Sequence, residues 1–116
     1  ANASVTVPEY AVPSYTRLTY PTRKYYPTWE MPPEGAEIQA AMRAHRHAFT
    51  REPEIGHWTF STNGVATAGM HDIPSIGFGP GHEHFAHAPN EQTEIEHLVC
   101  CTAFYTALVD EFAKGL

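Results

Sequence analysis

The sequence predicts an α/β fold, because two helical patterns enclose two strand-like segments along the chain. Residues 34–50 and the stretch after Thr93 carry apolar residues at helical spacing, whereas residues 54–61 and 75–78 favour strands. Short joins between helix, strand, strand and helix indicate helices packed on a mixed sheet. Two strands cannot cover the apolar faces of two helices, so we expect the sheet to continue in a further segment of polypeptide outside these residues or in a partner subunit.

The first 28 residues differ in composition from the rest. Residues 4–7 alternate like a strand, and a Tyr- and Thr-rich stretch with four prolines and no helical period follows. Proline lacks the N–H that a sheet requires, so this composition predicts an edge strand and an extended connector without a core of its own. We place a domain boundary at Trp29, which divides the chain into residues 1–28 and 29–116.

The first helical segment, residues 34–50, has one apolar stripe and is ended by Arg51-Glu52-Pro53. The pattern predicts His45 to be a satisfied core or boundary histidine on that stripe, and not a ligand. The stripe consists of Ile38, Met42, His45 and Phe49.

A turn at Thr62-Asn63-Gly64 follows the strand-like residues 54–61, and Gly64 is able to adopt positive φ there. Residues 65–70 are then expected to form one helical turn. Backbone N–H groups at such a turn could hold an anion or an oxyanion, or the turn could simply end a strand. The sequence alone leaves both interpretations open.

The last helix has the clearest signals. Thr93 and Glu96 have the spacing of a capping box, and Gly115 stands where helices commonly end. Its apolar positions predict a wide buried face made of Ile95, Leu98, Val99, Thr102, Tyr105, Leu108, Val109 and Phe112.

Composition limits the possible partners. A formal charge of −6 and a pI near 5.7 argue against nucleic acid or an anionic membrane as partner. Cys100 and Cys101 are adjacent in a helical pattern, where a mutual disulfide would be strained, and two free thiols predict a cytoplasmic protein. The first residue is Ala1 and not Met, so we expect the chain to be a processed or excised piece.

Residues 73–91 are the part of the sequence best suited to a chemical role. A short apolar run breaks at Gly79-Pro80-Gly81, and His82, His84 and His87 follow among two carboxylates. The histidines could be exposed loop residues, a cupin-like His-x-His metal site with Glu91, or the source of one ligand for a metal site built mostly elsewhere. A cupin would need glycine at position 76 and a strand after Glu91, and neither is present. Spacing alone does not decide between the other two.

Four segments together resemble a known enzyme family. They are Ser-Thr-Asn-Gly-Val (61–65), Asp-Ile-Pro (72–74), Gly-Phe-Gly-Pro-Gly (77–81) and Ala-His-Ala-Pro-Asn-Glu (86–91). The chain resembles the C-terminal part of the zinc-dependent acetylornithine deacetylase, succinyl-diaminopimelate desuccinylase and glutamate carboxypeptidase family. Pro-Ser-Tyr-Thr (13–16) and Tyr-Pro-Thr-Trp (26–29) are similar to the branch often labelled selenium-metabolism hydrolase.

The resemblance implies roles for individual residues. His87 would be the last ligand of a site that holds two zinc ions, with cobalt or manganese as alternatives, and His82 and His84 would be lip residues. Asn90 and Glu91 would hold the loop and cap the following helix. None of these residues would be catalytic, and those implied to contact the substrate are Asn63, Gly64 and Gly79.

The resemblance also implies the organisation of the whole enzyme. Residues 1–28 would be the last strand of a lid domain, through which these enzymes dimerise, and its hinge. Residues 29–116 would be the C-terminal half of the catalytic domain. The partners expected are therefore a small-molecule substrate, the missing N-terminal half and a second copy of the protein.

One departure from the family pattern matters for function. The remaining ligands and the general base of this family lie in a His-x-Asp motif, a bridging Asp and a Glu-Glu pair, and neither His-x-Asp nor Glu-Glu occurs here. We therefore expect a portion of a hydrolase of small N-acyl amino acids or dipeptide-like amides that is inactive in isolation. The alternatives are a non-enzymatic binding or interaction module that keeps part of the fold, or a separate chain that supplies the other half.

Overall fold

The computed structural model of the protein describes residues 2–115, and Ala1 and Leu116 lie outside the described part. Two long helices and a small antiparallel sheet are its main elements. In chain order the elements are β1 (Glu9–Tyr10), β2 (Thr22–Arg23), α1 (Ala36–Ala48), a π-helical segment (Val65–Met70), a 3-10 turn (Glu83–Phe85) and α2 (Ile95–Ala113).

The first predicted helix is confirmed as α1. Gly35 precedes it and donates its backbone N–H to the carbonyl of Pro32 at 2.8 Å. The helix ends at Ala48, because Phe49 is already extended at φ −133°. Glu37 in the first turn and Arg46 in the last turn complement the helix dipole.

The last predicted helix is confirmed as α2, but its predicted N-terminal cap is wrong. Glu94 occupies the N-cap position and makes no side-chain capping bond, so Thr93 and Glu96 do not form a capping box. The extended conformation at Glu94 starts the helix one residue later than the box requires. The predicted end is correct: Gly115 has φ +96°, and its N–H donates to the carbonyl of Phe112.

The core lies between α1 and α2. Its buried members are Ala44, Phe104 and Ala107, and half-buried side chains surround them. The predicted stripe on α1 is therefore displaced: Ile38 and Met42 are only half-buried, while alanines face α2. Small side chains at this contact allow the two helices to approach closely. The surrounding side chains are Ala41, Ala48, Phe49, Phe78 and Leu108.

The predicted buried face of α2 is largely wrong. Cys101, Phe104, Ala107 and Glu111 are buried against the rest of the chain. The helix is apolar on both sides, so periodicity could not identify the side that α1 covers. Of the predicted face, Leu108 and Phe112 are half-buried, and the exposed members are Ile95, Leu98, Val99, Thr102, Tyr105 and Val109.

A polar bridge connects the two helices. Arg43 on α1 donates from Nε to Glu111 of α2 at 2.8 Å, and Lys114 reaches the other oxygen of the same carboxylate at 2.5 Å. The hydrogen bonds from Lys114 and from Arg43 lower the pKa of Glu111 below its usual value. A carboxylate at the helix contact therefore stays ionised.

The predicted strands at residues 4–7, 54–61 and 75–78 are absent from the described residues. Residues 54–58 and 75–78 have no regular secondary structure, and residues 59–60 form a bend. The Trp58 ring lies against Gly77, yet no backbone hydrogen bond joins the two segments. An extended segment becomes a strand only where a neighbour completes its hydrogen bonds, and none does so here. Phe78 nevertheless enters the core, stacked on Phe104 at 4.0 Å between ring centroids.

The N-terminal segment forms a hairpin further along the chain than predicted. Glu9 pairs with Arg23 and Tyr10 with Thr22 in β1 and β2, around a turn in which Arg17 adopts φ 64°. Residues 2–26 are all exposed, which confirms the prediction that this segment has no core of its own.

The chain is expanded for its length. Its radius of gyration is 18.4 Å, whereas a compact domain of this size has about 13 Å. Large apolar side chains such as Ile95, Val99 and Val109 stay exposed on α2. Within residues 2–115, no helix has both the length and the apolar content that a membrane crossing requires.

Candidate metal centre

The histidine loop, residues 79–91, is held by its own backbone. Gly81 adopts φ +93° at a bend after Pro80. The N–H of Phe85 then donates to His82 at 3.0 Å, and the N–H of Glu91 donates to Ala88 at 3.1 Å. These short-range bonds give the loop a defined path between the core and α2.

His87 stands at an unusual backbone position in this loop. Its φ of 58° lies in the left-handed region. Residues other than glycine rarely adopt this conformation, and those that do are concentrated at functional sites. Its side chain is exposed, and its backbone N–H donates to Oε2 of Glu91 at 3.2 Å. The imidazole is thus presented outward, while Glu91 contacts the backbone that carries it.

Asn90 and Glu91 do not cap α2. Asn90 is left-handed, with φ 63°, and the helix starts four residues after Glu91 with Glu94 as its N-cap. The predicted capping role of both residues is therefore wrong. The role of Glu91 in holding the loop stays a prediction, for which its bond to His87 provides a geometric basis.

The turn at Asn63 and Gly64 begins the π-helical segment. The Asn63 carbonyl accepts the N–H of Ala66 at 2.9 Å, and Gly64 has φ −56°, so the expected positive φ is wrong. Gly64 is needed for a different reason. A Cβ at this position would overlap the Trp29 ring.

Gly79 lines a small cavity of about 140 Å³ beneath the histidine loop. Glu91 lines the same cavity, and Trp58 and Phe60, stacked at 6.0 Å, form its aromatic wall. Neither His87 nor the turn at residues 63–64 belongs to that lining. The described part of the chain therefore does not gather all the predicted site residues around one cavity.

A larger cavity of about 390 Å³ adjoins α1, and His45 is part of its wall. His45 is buried as predicted, but its Nδ1 has no hydrogen-bond partner among the described residues, so it is not the satisfied histidine expected. Burial, and next the charge of Arg51, lower the pKa of His45. This imidazole is therefore neutral near pH 7.

The structure brings together three possible metal ligands that the sequence did not reveal as a group. His82 Nε2 lies 3.5 Å from one oxygen of Glu94, and His97 Nε2 lies 3.5 Å from the other. All three ligand atoms lie within 4.8 Å of one another. His84 stacks near His82, with ring centroids 5.5 Å apart, but it is not a member of this group.

These residues were difficult to recognise from sequence. His97 lies 15 positions after His82 and inside α2, where a histidine reads as a surface residue. The available signal was the spacing of Glu94 and His97, which puts their side chains on the same side of the first helical turn. Only the path of the loop brings His82 to them.

Comparison with known proteins identifies the family. Residues 6–111 match the peptidase family M20/M25/M40, and this match spans nearly the whole chain. The chain therefore belongs to this family of metal-dependent hydrolases. The resemblance found in the sequence is confirmed at family level, while the selenium-metabolism branch stays a prediction.

Two curated relatives have the same description, uncharacterized protein YgeY, and come from Escherichia coli strain K12 and Escherichia coli O157:H7. Each is 49% identical to this chain over 108 residues, which cover 93% of the chain and 27% of the relative. The chain thus spans about a quarter of the length of the curated relatives it matches. No solved structure matches the chain significantly.

Proposed function

We propose that this chain supplies one metal ligand and the substrate-binding turns of a hydrolase that cleaves amide bonds in small N-acyl amino acids or dipeptide-like molecules. The observation that carries the proposal is the family match over residues 6–111, which includes the Ala-His-Ala-Pro-Asn-Glu element around His87. The exposed imidazole at this strained backbone position supports a role in binding.

His87 would hold one of two zinc ions, or cobalt or manganese in their place. A neutral imidazole is a suitable donor for these ions, and its outward orientation leaves it free to bind. When bound, zinc polarises the scissile carbonyl and lowers the pKa of water. Zinc sites in proteins have at least three protein ligands, so the remaining donors must come from outside the His87 loop.

The other site residues would position the loop and the substrate. Glu91 would keep the His87 loop in place through the hydrogen bond it accepts from the backbone N–H. Asn63, Gly64 and Gly79 would bind the carboxylate of the substrate or the developing oxyanion through N–H donors. For this, the N–H of Gly64 would leave the Thr62 hydroxyl, to which it donates at 3.1 Å. The cavity beside Gly79 offers about 140 Å³ for a small side chain.

The chain would be inactive alone. Amide hydrolysis needs a general base close to the attacking water, and the motifs that supply it in this family are absent from the 116 residues. The curated relatives are nearly four times longer than the matched segment, which leaves ample chain for those motifs. The expanded shape and the exposed apolar side of α2 are consistent with a missing partner segment.

The domain boundary and the assembly belong to the same proposal. Residues 1–28 would be the end of a lid domain and its hinge, and residues 29–116 would be the second half of the catalytic domain. The exposed β1–β2 pair has free edges that another strand could extend, which supports a homo-oligomer. The free thiols of Cys100 and Cys101 support a cytoplasmic location.

Hydrolysis of N-acetyl amino acids by the isolated chain with added zinc tests the inactivity directly. We expect no turnover above that of zinc alone. Turnover that His87→Ala abolishes would refute the need for additional chain. The family match does not favour the alternative of a non-enzymatic module. That alternative predicts that a protein as long as the curated relatives, with this chain as its C-terminal part, also lacks hydrolase activity.

A further inference from the structure

The histidine loop and the start of α2 together present three possible metal ligands, which are His82, Glu94 and His97. His82 directly follows Gly81, whereas Glu94 and His97 belong to the N-cap and the first turn of the helix. We propose that these three residues bind a divalent transition-metal ion, for which Zn²⁺ is the best match, at a site separate from His87. This site does not depend on the hydrolase function.

The distances fit a single ion. Each imidazole Nε2 lies 3.5 Å from its nearest Glu94 oxygen, and the three ligand atoms lie within 4.8 Å of one another. Two ligands of one tetrahedral zinc ion, each bound at about 2.1 Å, stand about 3.4 Å apart. The two 3.5 Å distances run to different oxygens of Glu94, and the widest separation between ligand atoms would shorten by up to ~1.4 Å for all three side chains to reach one ion.

The donor types also fit. Two imidazoles and one carboxylate form a recognised zinc ligand set, with a fourth position left for water or another group. Imidazole donors disfavour magnesium and calcium, which prefer oxygen ligands. The side chains of His82 and Glu94 are exposed by 48% and 63%, so an ion can enter from solvent without unfolding the loop.

Local charge favours a cation here. Between His82 and His97 the sequence contains four glutamates and neither lysine nor arginine. Such a segment concentrates cations near its surface, and a bound divalent ion would relieve the repulsion among the carboxylates. The two imidazoles then provide the selectivity that carboxylates alone lack.

One existing hydrogen bond must change when the ion binds. The backbone N–H of Gly81 donates to Nδ1 of His97 at 3.1 Å, so the proton of this neutral imidazole resides on Nε2. Coordination through Nε2 requires the proton on Nδ1 instead. Gly81 must therefore turn its N–H away from His97, which gives metal binding a specific signature in the backbone.

The site would act as a clasp for the loop. An ion shared by His82 and the start of α2 closes the segment between residues 82 and 94, which includes His87. Closing a segment of this length reduces its conformational freedom. Metal at the clasp would thus restrict the backbone that presents His87, without using His87 as a ligand.

Calorimetric titration of the 116-residue chain with Zn²⁺ tests the proposal. We expect one equivalent to bind, and we expect Glu94→Gln and His97→Ala each to weaken binding by at least about tenfold. The matched control is His84→Ala, which removes the rival His-x-His chelate of positions 82 and 84 and leaves the clasp intact. Far-UV circular dichroism of each variant checks that α1 and α2 are retained.

Three outcomes of the titration would overturn the proposal. They are the absence of stoichiometric zinc binding, binding that Glu94→Gln and His97→Ala leave unchanged, and a loss in His84→Ala as large as that in His97→Ala. The unmodified chain provides an independent measurement, because the amide resonance of Gly81 should shift strongly in NMR spectra on addition of Zn²⁺. Zinc binding with an unmoved Gly81 resonance would also contradict the proposed geometry.

Discussion

Replacement of Phe104 by alanine tests which side of α2 holds the fold together. Phe104 is 3% exposed, stacks on Phe78 and packs beside Ala44 and Ala107. Truncation of a buried phenylalanine to alanine costs about 3–5 kcal/mol in free energy of unfolding. With a urea dependence of about 1.5 kcal/mol per molar, typical of small proteins, the unfolding midpoint should fall by roughly 2–3 M.

Val109→Ala is the matched control, because Val109 lies on the same helix but is 69% exposed. Its side chain loses few contacts on truncation, so its free energy of unfolding should change by less than about 0.5 kcal/mol. Urea titration followed by circular dichroism at 222 nm measures both variants in the isolated chain. Equal destabilisation by the two substitutions would refute the assigned packing of α2 and restore the face predicted from periodicity.

Three further substitutions test single contacts. Gly64→Ala should destabilise the chain by about 1–3 kcal/mol, because the new Cβ overlaps the Trp29 ring, and a shift in tryptophan fluorescence would report the displacement. The pKa of Glu111 is lowered in the fold, so its carboxylate stabilises the folded state at pH values above its ordinary pKa of 4.5. This contribution is lost as the pH falls below 4.5. Glu111→Gln should therefore make the free energy of unfolding less dependent on pH in the acid range. The pKa of His45 is also lowered in the fold, so below its ordinary pKa of 6.5 the unfolded chain binds a proton before the folded chain does, and the free energy of unfolding falls. His45→Gln should remove this pH dependence. Replacement of the exposed His47 by glutamine is the control and should leave the dependence in place. An unchanged profile in both the Glu111 and His45 variants would contradict the assigned shifts.

Local sequence patterns predicted the helices well and the strands poorly. A helix satisfies its hydrogen bonds within itself, so α1 and α2 could be recognised from residues 34–50 and from the stretch after Thr93. A strand depends on a neighbour, and residues 54–61 have none among the described residues. The pattern there indicated β propensity, which leads to a strand only where a second segment pairs with it.

The packing between the helices could be predicted only in part. Ala40 and Ala44 are completely buried, yet alanine is a weak signal in an apolar stripe that also contains Ile38 and Met42. Gly64 was recognised as special, but the reason is a tertiary contact and not its own backbone angle. Local periodicity does not reveal contacts between segments that are distant in sequence.

The candidate site shows the same division. Sequence resemblance singled out His87 and family membership is confirmed, while its role as a metal ligand stays a prediction. The cluster of His82, Glu94 and His97 could not be found that way, because it depends on how the loop folds back onto α2. Spacing identifies ligands within one element, whereas a site shared by two elements requires their arrangement.

The most direct test of the central claim is the effect of His87→Ala on amide hydrolysis by the protein at the length of its curated relatives. With N-acetyl amino acids as substrates, we expect the rate to fall by more than about 100-fold, since loss of a metal ligand costs more than loss of a supporting residue. The zinc content should fall by about one ion, because His87 would hold one of the two ions. His84→Ala, in the same loop, should retain both. Full activity and full zinc content in the His87→Ala protein would contradict the assignment of this imidazole to the metal centre.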